Sequence, residues 1–499
     1  MIREKIRENL SSYLKANFPD LLTDPRAFQF DVSTPPSSVS CDLAANAALV
    51  MAKRVGQPPR KLAEQLLERI TKEGWCERIE IAGPGFLNFW VRDAVLLEEL
   101  KEILHSGSGY GAAKLGSKPS VLIEFVSANP TGPLHVGHGR GAALGDCLAR
   151  ILKHQGHAVT TEYYLNDVGN QISMLGRSVA VRRSEIGGKS EAFPENGYKG
   201  EYIIDIAKKA LKDQVTDDQL GEFAVQEILS GIKTDLGAFR VHFDQWFRES
   251  SLFEKKLVDA AFEKLRGMGH LYEREGALWF ASTKFSDDKD RVLKRSDERP
   301  TYFASDIAYH LKKAGEGYDR WINIWGADHH GYAPRLQAAM KALGQKDGQL
   351  HILLYQLVSL LRDGQPIAMS TRSGEFETLR ELIDEVGADA CRFFYALRAP
   401  ETHFEFDLEL AKKQAPENPV YYVQYVHARI CSIFREAEKT SSGGMKPPEN
   451  VVMMKEERVL VLELSRFPEV AALCAHDLTP HHLTTYLLEV ARKPATLEC

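Results

Sequence analysis

Two histidines flank a glycine in the stretch FVSANPTGPLHVGHGRGAALGD, residues 125–146. His135 and His138 are three residues apart, so on a helix they share one face. The stretch lies between a strand-like run and a helical run, which places it at a helix start, where backbone N–H groups and the helix dipole favour an anion. The pattern predicts that both imidazoles donate to one phosphate, while Gly137 leaves room for a nucleotide. The alternative is that the histidines only cap a helix or face solvent.

The segments around the histidines predict a βαβ unit. The run VLIEFV reads as a buried parallel strand, GAALGDCLARILKHQG has helical spacing, and AVTTEYYLND reads as the next strand. Strand-like segments return at ALWFAS and WINIWGAD. We therefore expect an α/β domain over residues 111–410, interrupted at about 178–265 by a charge-rich, mostly helical insertion.

The two ends of the chain predict different folds. In residues 1–110, helical repeats of apolar residues alternate with RIEIAGPGFLNFWVR, which is typical of a hairpin with a Gly-Pro-Gly turn. This pattern predicts an α+β domain. Residues 411–499 have helical spacing throughout and predict an all-helical domain.

Composition limits the classes of function. The chain has 499 residues and a formal net charge of −6, so any contact with nucleic acid must come from local patches. Its seven cysteines include no CxxC pair, which argues against a disulfide framework and a zinc ribbon. No run reaches the ~18 apolar residues that a membrane span needs. We expect a reduced, cytoplasmic protein with no membrane contact and no metal-ligand set.

The motif His135-Val136-Gly137-His138 resembles the HIGH signature of class I aminoacyl-tRNA synthetases. Further segments resemble the bacterial type of the arginyl-tRNA synthetase family and occur in the family's order: YYLNDVGNQI, SDIAYHLKK, WGADHHGY, MSTRSGEFETLRELIDEVGADACRFFYALR and DLELAKKQAPENPVYYVQYVHARICSI. The resemblance runs from about residue 1 to 490. It implies a Rossmann-like catalytic domain, an N-terminal domain that touches the tRNA elbow, and a helical anticodon-binding domain. Relative to the family pattern, the C-terminus looks shortened.

The resemblance also implies the activity. Family members activate L-arginine with ATP to arginyl-adenylate, with Mg²⁺ as a cofactor, and transfer the arginyl group to the 3′ adenosine of tRNA(Arg) for protein synthesis. They typically need the tRNA bound before the first step proceeds, and they are usually monomers. Fixed hydrogen-bond donors suit this chemistry, because phosphoryl transfer is accelerated mainly by positioning and by charge stabilisation.

Site residues follow from the resemblance, position by position. The catalytic residues would be His135, His138, Ser370 and Arg372. ATP would contact Gly137, Gly139, Gly326, Asp328 and Met369. The substrate arginine would contact Glu124, Ser127, Asn129, Glu249, Tyr302, Asp306 and His329. The tRNA would contact Gln424, Tyr425 and Arg429.

Within the arginine site, the resemblance assigns Glu249, Tyr302 and Asp306 to the guanidinium, and acids there suit its planar array of donors. Each of these residues also has a structural interpretation. Glu249 could be a solvated surface acid, Tyr302 a core tyrosine and Asp328 a helix cap.

The second class signature, KMSKS, departs from the family pattern. Residues 368–372 read AMSTR, so both lysines are absent. Some family members without them carry a lysine just before the histidine motif, but Gly132 occupies that position here. Either Arg372 or Arg140 could provide the missing positive charge.

Two other functions would explain parts of the sequence. A small-molecule nucleotidyltransferase shares the HxGH turn, but it does not explain the tyrosine-rich helical tail or the N-terminal domain. An RNA-binding protein that has lost catalysis would explain the missing lysines and the shortened tail. Six retained residues argue against this second alternative: His135, His138, Glu124, Asn129, Tyr302 and Asp306.

Overall fold

A computed structural model describes residues 2–19, 30–36, 38–70, 75–367, 377–440 and 452–493. The chain forms two compact units. One comprises Met1–Ala112, Val423–Val470 and Thr485–Cys499, and the other comprises Ala113–Tyr422 and Ala471–Thr484. Within the described residues, no helix combines the length and the apolar character needed to cross a bilayer.

The N-terminal segment packs helices around an antiparallel sheet of strand order β1-β2-β4-β3. In chain order its elements are α1 (Ile2–Asn17), β1 (Val32–Ser33), β2 (Leu43–Ala45), α2 (Ala47–Val55), α3 (Pro59–Arg69), β3 (Cys76–Ala82), β4 (Phe86–Val91) and α4 (Asp93–Ser106). Strands β3 and β4 form the predicted hairpin, and Gly83 and Gly85 take the positive φ angles of its turn. The α+β fold expected here is confirmed.

The remaining elements belong mainly to the second unit. They are β5 (Lys118–Phe125), α5 (Val136–His154), β6 (His157–Leu165), α6 (Asn170–Ile186), α7 (Glu201–Lys212), α8 (Leu220–Ala238), β7 (Gln245–Arg248), α9 (Ser250–Glu254), α10 (Leu257–Gly267), β8 (Leu271–Arg274), β9 (Ala277–Phe280), β10 (Arg291–Lys294), α11 (Tyr302–Gly315), β11 (Arg320–Gly326), α12 (Ala333–Ala342), β12 (Leu350–Tyr355), β13 (Val358–Arg362), β14 (Gln365–Pro366), α13 (Leu379–Val386), α14 (Ala388–Ala396), β15 (Phe404–Asp407) and α15 (Leu408–Lys412). Helices α16 (Pro419–Thr440), α17 (Lys455–Leu464), α18 (Phe467–Asp477) and α19 (His481–Arg492) follow.

A parallel sheet of strand order β12-β11-β5-β6-β7 forms the centre of the second unit. Strand β5 is buried from Val121 to Phe125, as its apolar run predicts. The chain winds outward from β5 in one direction through β6 and β7, and from β11 in the other through β12. In such sheets, ligands bind where the strand order reverses, beyond the carboxyl ends of the strands. The Rossmann-like fold is confirmed, and its crevice lies at the ends of β5 and β11.

The predicted insertion at 178–265 needs a correction. Helices α6, α7 and α8 fit the expected helical pattern, but β7 (Gln245–Arg248) pairs in parallel with β6 in the main sheet. The insertion therefore ends before residue 245. A four-residue strand gives too short an alternation to be distinguished from its helical neighbours.

The N-terminal segment and part of the C-terminal helical segment share one hydrophobic core within the first unit. Val461 and Leu462 of α17 belong to the same buried cluster as Ile6 and Phe89. The buried Arg3 donates a hydrogen bond to the carbonyl of Leu462 at 3.2 Å. The two domain boundaries, at 110 and 410, stay predictions, since compactness groups the N-terminal segment with part of the C-terminal helical segment.

Candidate active site

The two motif histidines lie at the start of α5, with fixed ring orientations. Nδ1 of His135 accepts a hydrogen bond from the backbone N–H of Gly137 at 3.1 Å, and Nδ1 of His138 accepts one from the backbone N–H of His135 at 3.2 Å. The rings stack with centroids 3.6 Å apart. Because each Nδ1 is an acceptor, each ring carries its proton on Nε2. The pair therefore both caps the helix and provides two oriented N–H donors.

Both imidazoles are neutral near pH 7. Burial lowers the pKa of His135, an effect that the carboxylate of Asp328 partly opposes. Burial also lowers the pKa of His138 well below its usual value, and the neighbouring His135 lowers it further. These histidines can thus donate hydrogen bonds to a phosphate, but they do not bring a full positive charge.

A cleft of about 610 Å³ opens beside the histidines. We call it the histidine cleft; it is lined by Asn129, Thr131, Gly132, Pro133, His135, His138, Gln171, Glu195, Asn196, Gly197, Tyr198, Lys199, Gly200 and Tyr202. Its first wall comes from the loop between β5 and α5, and its second wall comes from the helical insertion. The loop's position beyond β5 follows from the strand-to-helix turn in the sequence.

A second cavity, the acidic pocket, has a volume of about 360 Å³. The structure brings all seven residues predicted for the arginine site to its lining: Glu124, Ser127, Asn129, Glu249, Tyr302, Asp306 and His329. Asn129 and Gln171 line both the acidic pocket and the histidine cleft. A ligand in the pocket therefore lies next to one in the cleft.

In the part of the chain that the structure describes, neither Asp306 nor Glu249 of the acidic pocket forms an ion pair within 4.0 Å. Burial raises the pKa of Asp306 to about 7, and the carboxylates of Glu249 and Glu124 add to the shift, although a hydrogen bond from the Tyr332 hydroxyl opposes it. Burial also raises the pKa of Glu249, against hydrogen bonds from Ser305 and Tyr164. Glu249 is 3% exposed, so it is not the solvated surface acid of the alternative interpretation. A cation in this pocket would lower both carboxyl pKa values and be bound strongly.

Glu124 has a different environment, because its charge is already matched. Its Oε2 accepts a hydrogen bond from the buried Lys313 ammonium at 2.6 Å, and its Oε1 accepts one from Ser127 at 3.1 Å. Burial alone would raise the pKa of Glu124, but Lys313 outweighs it and the net shift is downward. Val126 and Ser127 have φ angles of 66° and 41°, a strained turn that aims the loop at the pocket.

Three other predicted positions are more exposed. Tyr302 is the first residue of α11 and is 58% exposed, which excludes a core role. The side chains of Asp328 and His329 are 64% and 62% exposed, and Nε2 of His329 lies 3.6 Å from Oδ2 of Asp328. Gly326 ends β11 and lines the acidic pocket.

The glycines of the motif contribute to packing. A Cβ on Gly137 would lie 2.9 Å from Cε1 of His135, so glycine here makes room for the histidine ring, and its contact with a nucleotide stays a prediction. A Cβ on Gly139 would lie 2.8 Å from Leu379 and 3.1 Å from Tyr395. Gly139 faces this helix contact and is not among the residues that line the cleft, so the structure gives it a packing role, and its contact with ATP stays a prediction.

Arg140 cannot replace the missing lysines. Its side chain is buried and donates to the carbonyl oxygens of Gln356, Ala399 and Thr402 at 2.8–3.0 Å. These bonds hold the guanidinium between the loop at Gln356 and the loop that contains Ala399 and Thr402. The other predicted residues of the second signature, Met369, Ser370 and Arg372, lie outside the described residues.

The predicted tRNA-binding residues lie on α16. Gln424, Tyr425 and Arg429 are all exposed, and Arg429 donates to the Tyr425 hydroxyl at 3.1 Å. An exposed aromatic ring beside a guanidinium suits stacking on unpaired bases.

Sequence reasoning missed several residues of the site. Tyr332 donates to Asp306, Tyr164 donates to Glu249, and Gln171 joins the two cavities. Tyr332 belongs to the WGADHHGY segment and Gln171 to YYLNDVGNQI, so the resemblance could have found both. Lys199 lies in the insertion, where no pattern marked it.

Among the described residues, no three His, Cys, Asp or Glu side chains come together in a way that could hold a metal ion.

Three family models match the chain in order. One described as an arginyl tRNA synthetase N terminal domain matches residues 1–91, one described as tRNA synthetases class I (R), catalytic domain matches 99–395, and one described as a DALR anticodon binding domain matches 423–496. The three matches follow the order of N-terminal, catalytic and anticodon-binding regions that the resemblance implies, and the domain boundaries at 110 and 410 stay predictions.

Known proteins resemble the chain along most of its length. The arginine–tRNA ligase of Lawsonia intracellularis is 46% identical over 473 residues, which cover 92% of this chain and 86% of the relative. An arginyl-tRNA synthetase of known structure from Campylobacter jejuni has 36% sequence identity and a TM-score of 0.75. The match covers 82% of this chain and 91% of the Campylobacter chain. Thermus thermophilus arginyl-tRNA synthetase, at 24% identity, shares the fold with a TM-score of 0.76 over 99% of this chain and 91% of its own.

Proposed function

This chain belongs to the arginyl-tRNA synthetase family, and we propose that the histidine cleft and the acidic pocket together form its aminoacylation site. The activity of the family is the ATP-dependent activation of L-arginine and its transfer to the 3′ adenosine of tRNA(Arg) for protein synthesis. One observation supports the assignment above all: Asn129 and Gln171 line both the acidic pocket and the histidine cleft.

In the first step the carboxylate of arginine attacks the α-phosphate of ATP, and pyrophosphate leaves. We assign the Nε2–H groups of His135 and His138 to the oxygens of the α-phosphate. Backbone hydrogen bonds hold both rings before the substrate arrives, so little reorganisation is needed as negative charge develops on the phosphate. Their neutral state lets them act as donors without requiring a proton from solvent.

The guanidinium of arginine would lie against Asp306 and Glu249. Buried carboxylates left without a cation are costly, and a planar guanidinium can satisfy two of them with several hydrogen bonds at once. Lysine offers a single ammonium and cannot reproduce that pattern. The pocket can therefore discriminate against lysine by roughly 10⁴ without an editing domain.

Glu124 acts differently in this assignment, because Lys313 already balances its charge. Together with Ser127 and Asn129 it would orient the α-amino and α-carboxyl groups of the substrate toward the histidine cleft. Ser127 bonds both Glu124 and the backbone N–H of Tyr164, so the three groups keep their relative positions.

ATP is the nucleotide substrate of the family. Gly326 and Asp328 at the end of β11 are our candidates for its adenosine side, and Met369, Ser370 and Arg372 stay predictions. We propose that Mg²⁺ enters on the phosphate oxygens of ATP, which are the hard ligands it prefers. On the same grounds we propose that the N-terminal segment contacts the tRNA elbow. We also propose that the anticodon region contacts Gln424, Tyr425 and Arg429. The protein would be a monomer with a cytoplasmic location.

Pyrophosphate exchange tests the assignment. The purified protein is incubated with ATP, magnesium and labelled pyrophosphate, with arginine or lysine, and with or without tRNA(Arg). We expect exchange only with arginine, and only when tRNA is present. Exchange with lysine at a comparable rate, or none with arginine and tRNA, would contradict the proposed site.

A further inference from the structure

The histidine cleft has little positive charge for a polyanionic ligand. Its two imidazoles are neutral because burial lowers the pKa of each. Arg140, which follows the motif, is bound to three carbonyl oxygens and is not part of the lining. Among the described residues that line the cleft, Lys199 is the only lysine or arginine.

We propose that Lys199, on the insertion side of the histidine cleft, binds the β- and γ-phosphates of ATP and the departing pyrophosphate. The inference rests on the proposed function, since it assumes that ATP occupies this cleft. The two histidines would then hold the α-phosphate on one wall, and an ammonium on the facing wall would hold the remainder of the triphosphate.

The segment that carries Lys199 is anchored on both sides. The Tyr202 hydroxyl donates to the carbonyl of Thr131 at 2.6 Å, and the Tyr198 hydroxyl bonds the side chain of the same threonine. The backbone N–H of Tyr198 donates to Ser178 of α6 at 3.0 Å. These bonds tie the segment to the loop that leads to the histidines, so Lys199 is presented to the cleft by a fixed backbone.

The ammonium of Lys199 is available for a ligand. In the part of the chain that the structure describes, no carboxylate lies within 4.0 Å of it, although Glu195 lines the same cleft. Neighbouring lysines of the insertion differ, since Lys208 pairs with Asp205 at 3.1 Å and Lys209 with Glu227 at 2.6 Å. A compact ammonium on a long flexible stem is well suited to phosphate oxygens.

The test is the Lys199→Ala variant in pyrophosphate exchange with saturating arginine and tRNA(Arg). We expect the KM values for ATP and for pyrophosphate to rise roughly tenfold or more, on the scale of one lost charge-assisted contact, while the KM for arginine stays within about twofold. Lys199→Arg should restore most of the loss, because it keeps the charge. Lys189→Ala, an exposed lysine of the same insertion that does not line the cleft, is the matched control.

Unchanged KM values for ATP and pyrophosphate in Lys199→Ala would overturn the inference. A rise confined to the KM for tRNA in aminoacylation would also overturn it, because it would assign the lysine to RNA. Thermal melting checks that both alanine variants are folded, and Lys199→Gln repeats the measurement with a polar side chain. If His138→Ala loses exchange while Lys199→Ala does not, only this inference fails; if the wild-type chain shows no arginine-dependent exchange, the proposed function fails.

Discussion

Arginine binding should strengthen as the pH rises through neutrality, because the acidic pocket must be ionised to hold a guanidinium. The pKa of Asp306 is raised to about 7 in the ligand-free pocket, chiefly by burial. Its protonated form predominates below that pH and cannot pair with the substrate. Acid therefore weakens arginine binding, because Asp306 must lose its proton before it can pair with the guanidinium.

The size of the effect follows from the ionised fraction. With a pKa of about 7, roughly 9% of Asp306 is ionised at pH 6 and roughly 91% at pH 8, so affinity should rise about tenfold over this range. Burial also raises the pKa of Glu249, and a second titrating carboxylate would steepen the dependence. The guanidinium keeps its charge throughout, so the substrate's side chain adds no slope of its own.

Isothermal calorimetry of arginine binding to the whole chain between pH 6 and 8, without ATP, is the direct assay. Asp306→Asn cannot ionise and is the matched variant: its affinity should be low and nearly independent of pH. A change of less than about threefold between pH 6 and 8 in the wild-type chain would refute the reasoning. So would an unchanged pH dependence in Asp306→Asn.

Three further changes test other parts of the site. His138→Ala should slow adenylate formation by roughly 10²–10³ with little change in tRNA affinity, as measured by single-turnover kinetics and filter binding, because it removes one fixed donor from the α-phosphate; an unchanged rate would exclude this role. Tyr332→Phe removes a hydrogen bond that lowers the pKa of Asp306, so the midpoint of arginine binding should move to higher pH, and a midpoint that stays or falls would contradict the contact. Arg140→Met leaves three carbonyl oxygens without their donor and should reduce the free energy of unfolding in urea by about 3 kcal/mol, whereas a loss of activity at full stability would show that this residue acts on the substrate after all.

Local patterns in the sequence were sufficient where neighbours along the chain determine the structure. The strand β5, the turn and the helix α5 are consecutive, so apolar spacing and a helix start predict them together. The seven predicted residues of the acidic pocket come from four separate segments, and only the resemblance to a family could bring them together. The packing of Gly139 against Leu379 and Tyr395 could not be predicted, because a motif does not show which face of a helix meets another element.

Local sequence patterns could not predict contacts between residues that are far apart in the chain. Lys199 reaches the cleft because Tyr202 binds a carbonyl 71 residues earlier in the chain. Arg140 looked like a candidate for phosphate because it follows the histidines, yet both of its terminal guanidinium nitrogens donate to carbonyl oxygens that lie more than 200 residues away in the chain. Charge and spacing show that such a side chain needs partners, but not where they are.

The shared core of the N-terminal segment and α17 has a consequence for synthesis on the ribosome. Arg3 and Leu462 are 459 positions apart, so the core around Arg3 stays incomplete until α17 has been translated. The parallel sheet between them has all of its strands much earlier and can fold while translation continues. During that interval Ile6 and Phe89 keep apolar surface exposed, which makes the emerging N-terminal segment a natural client for chaperones.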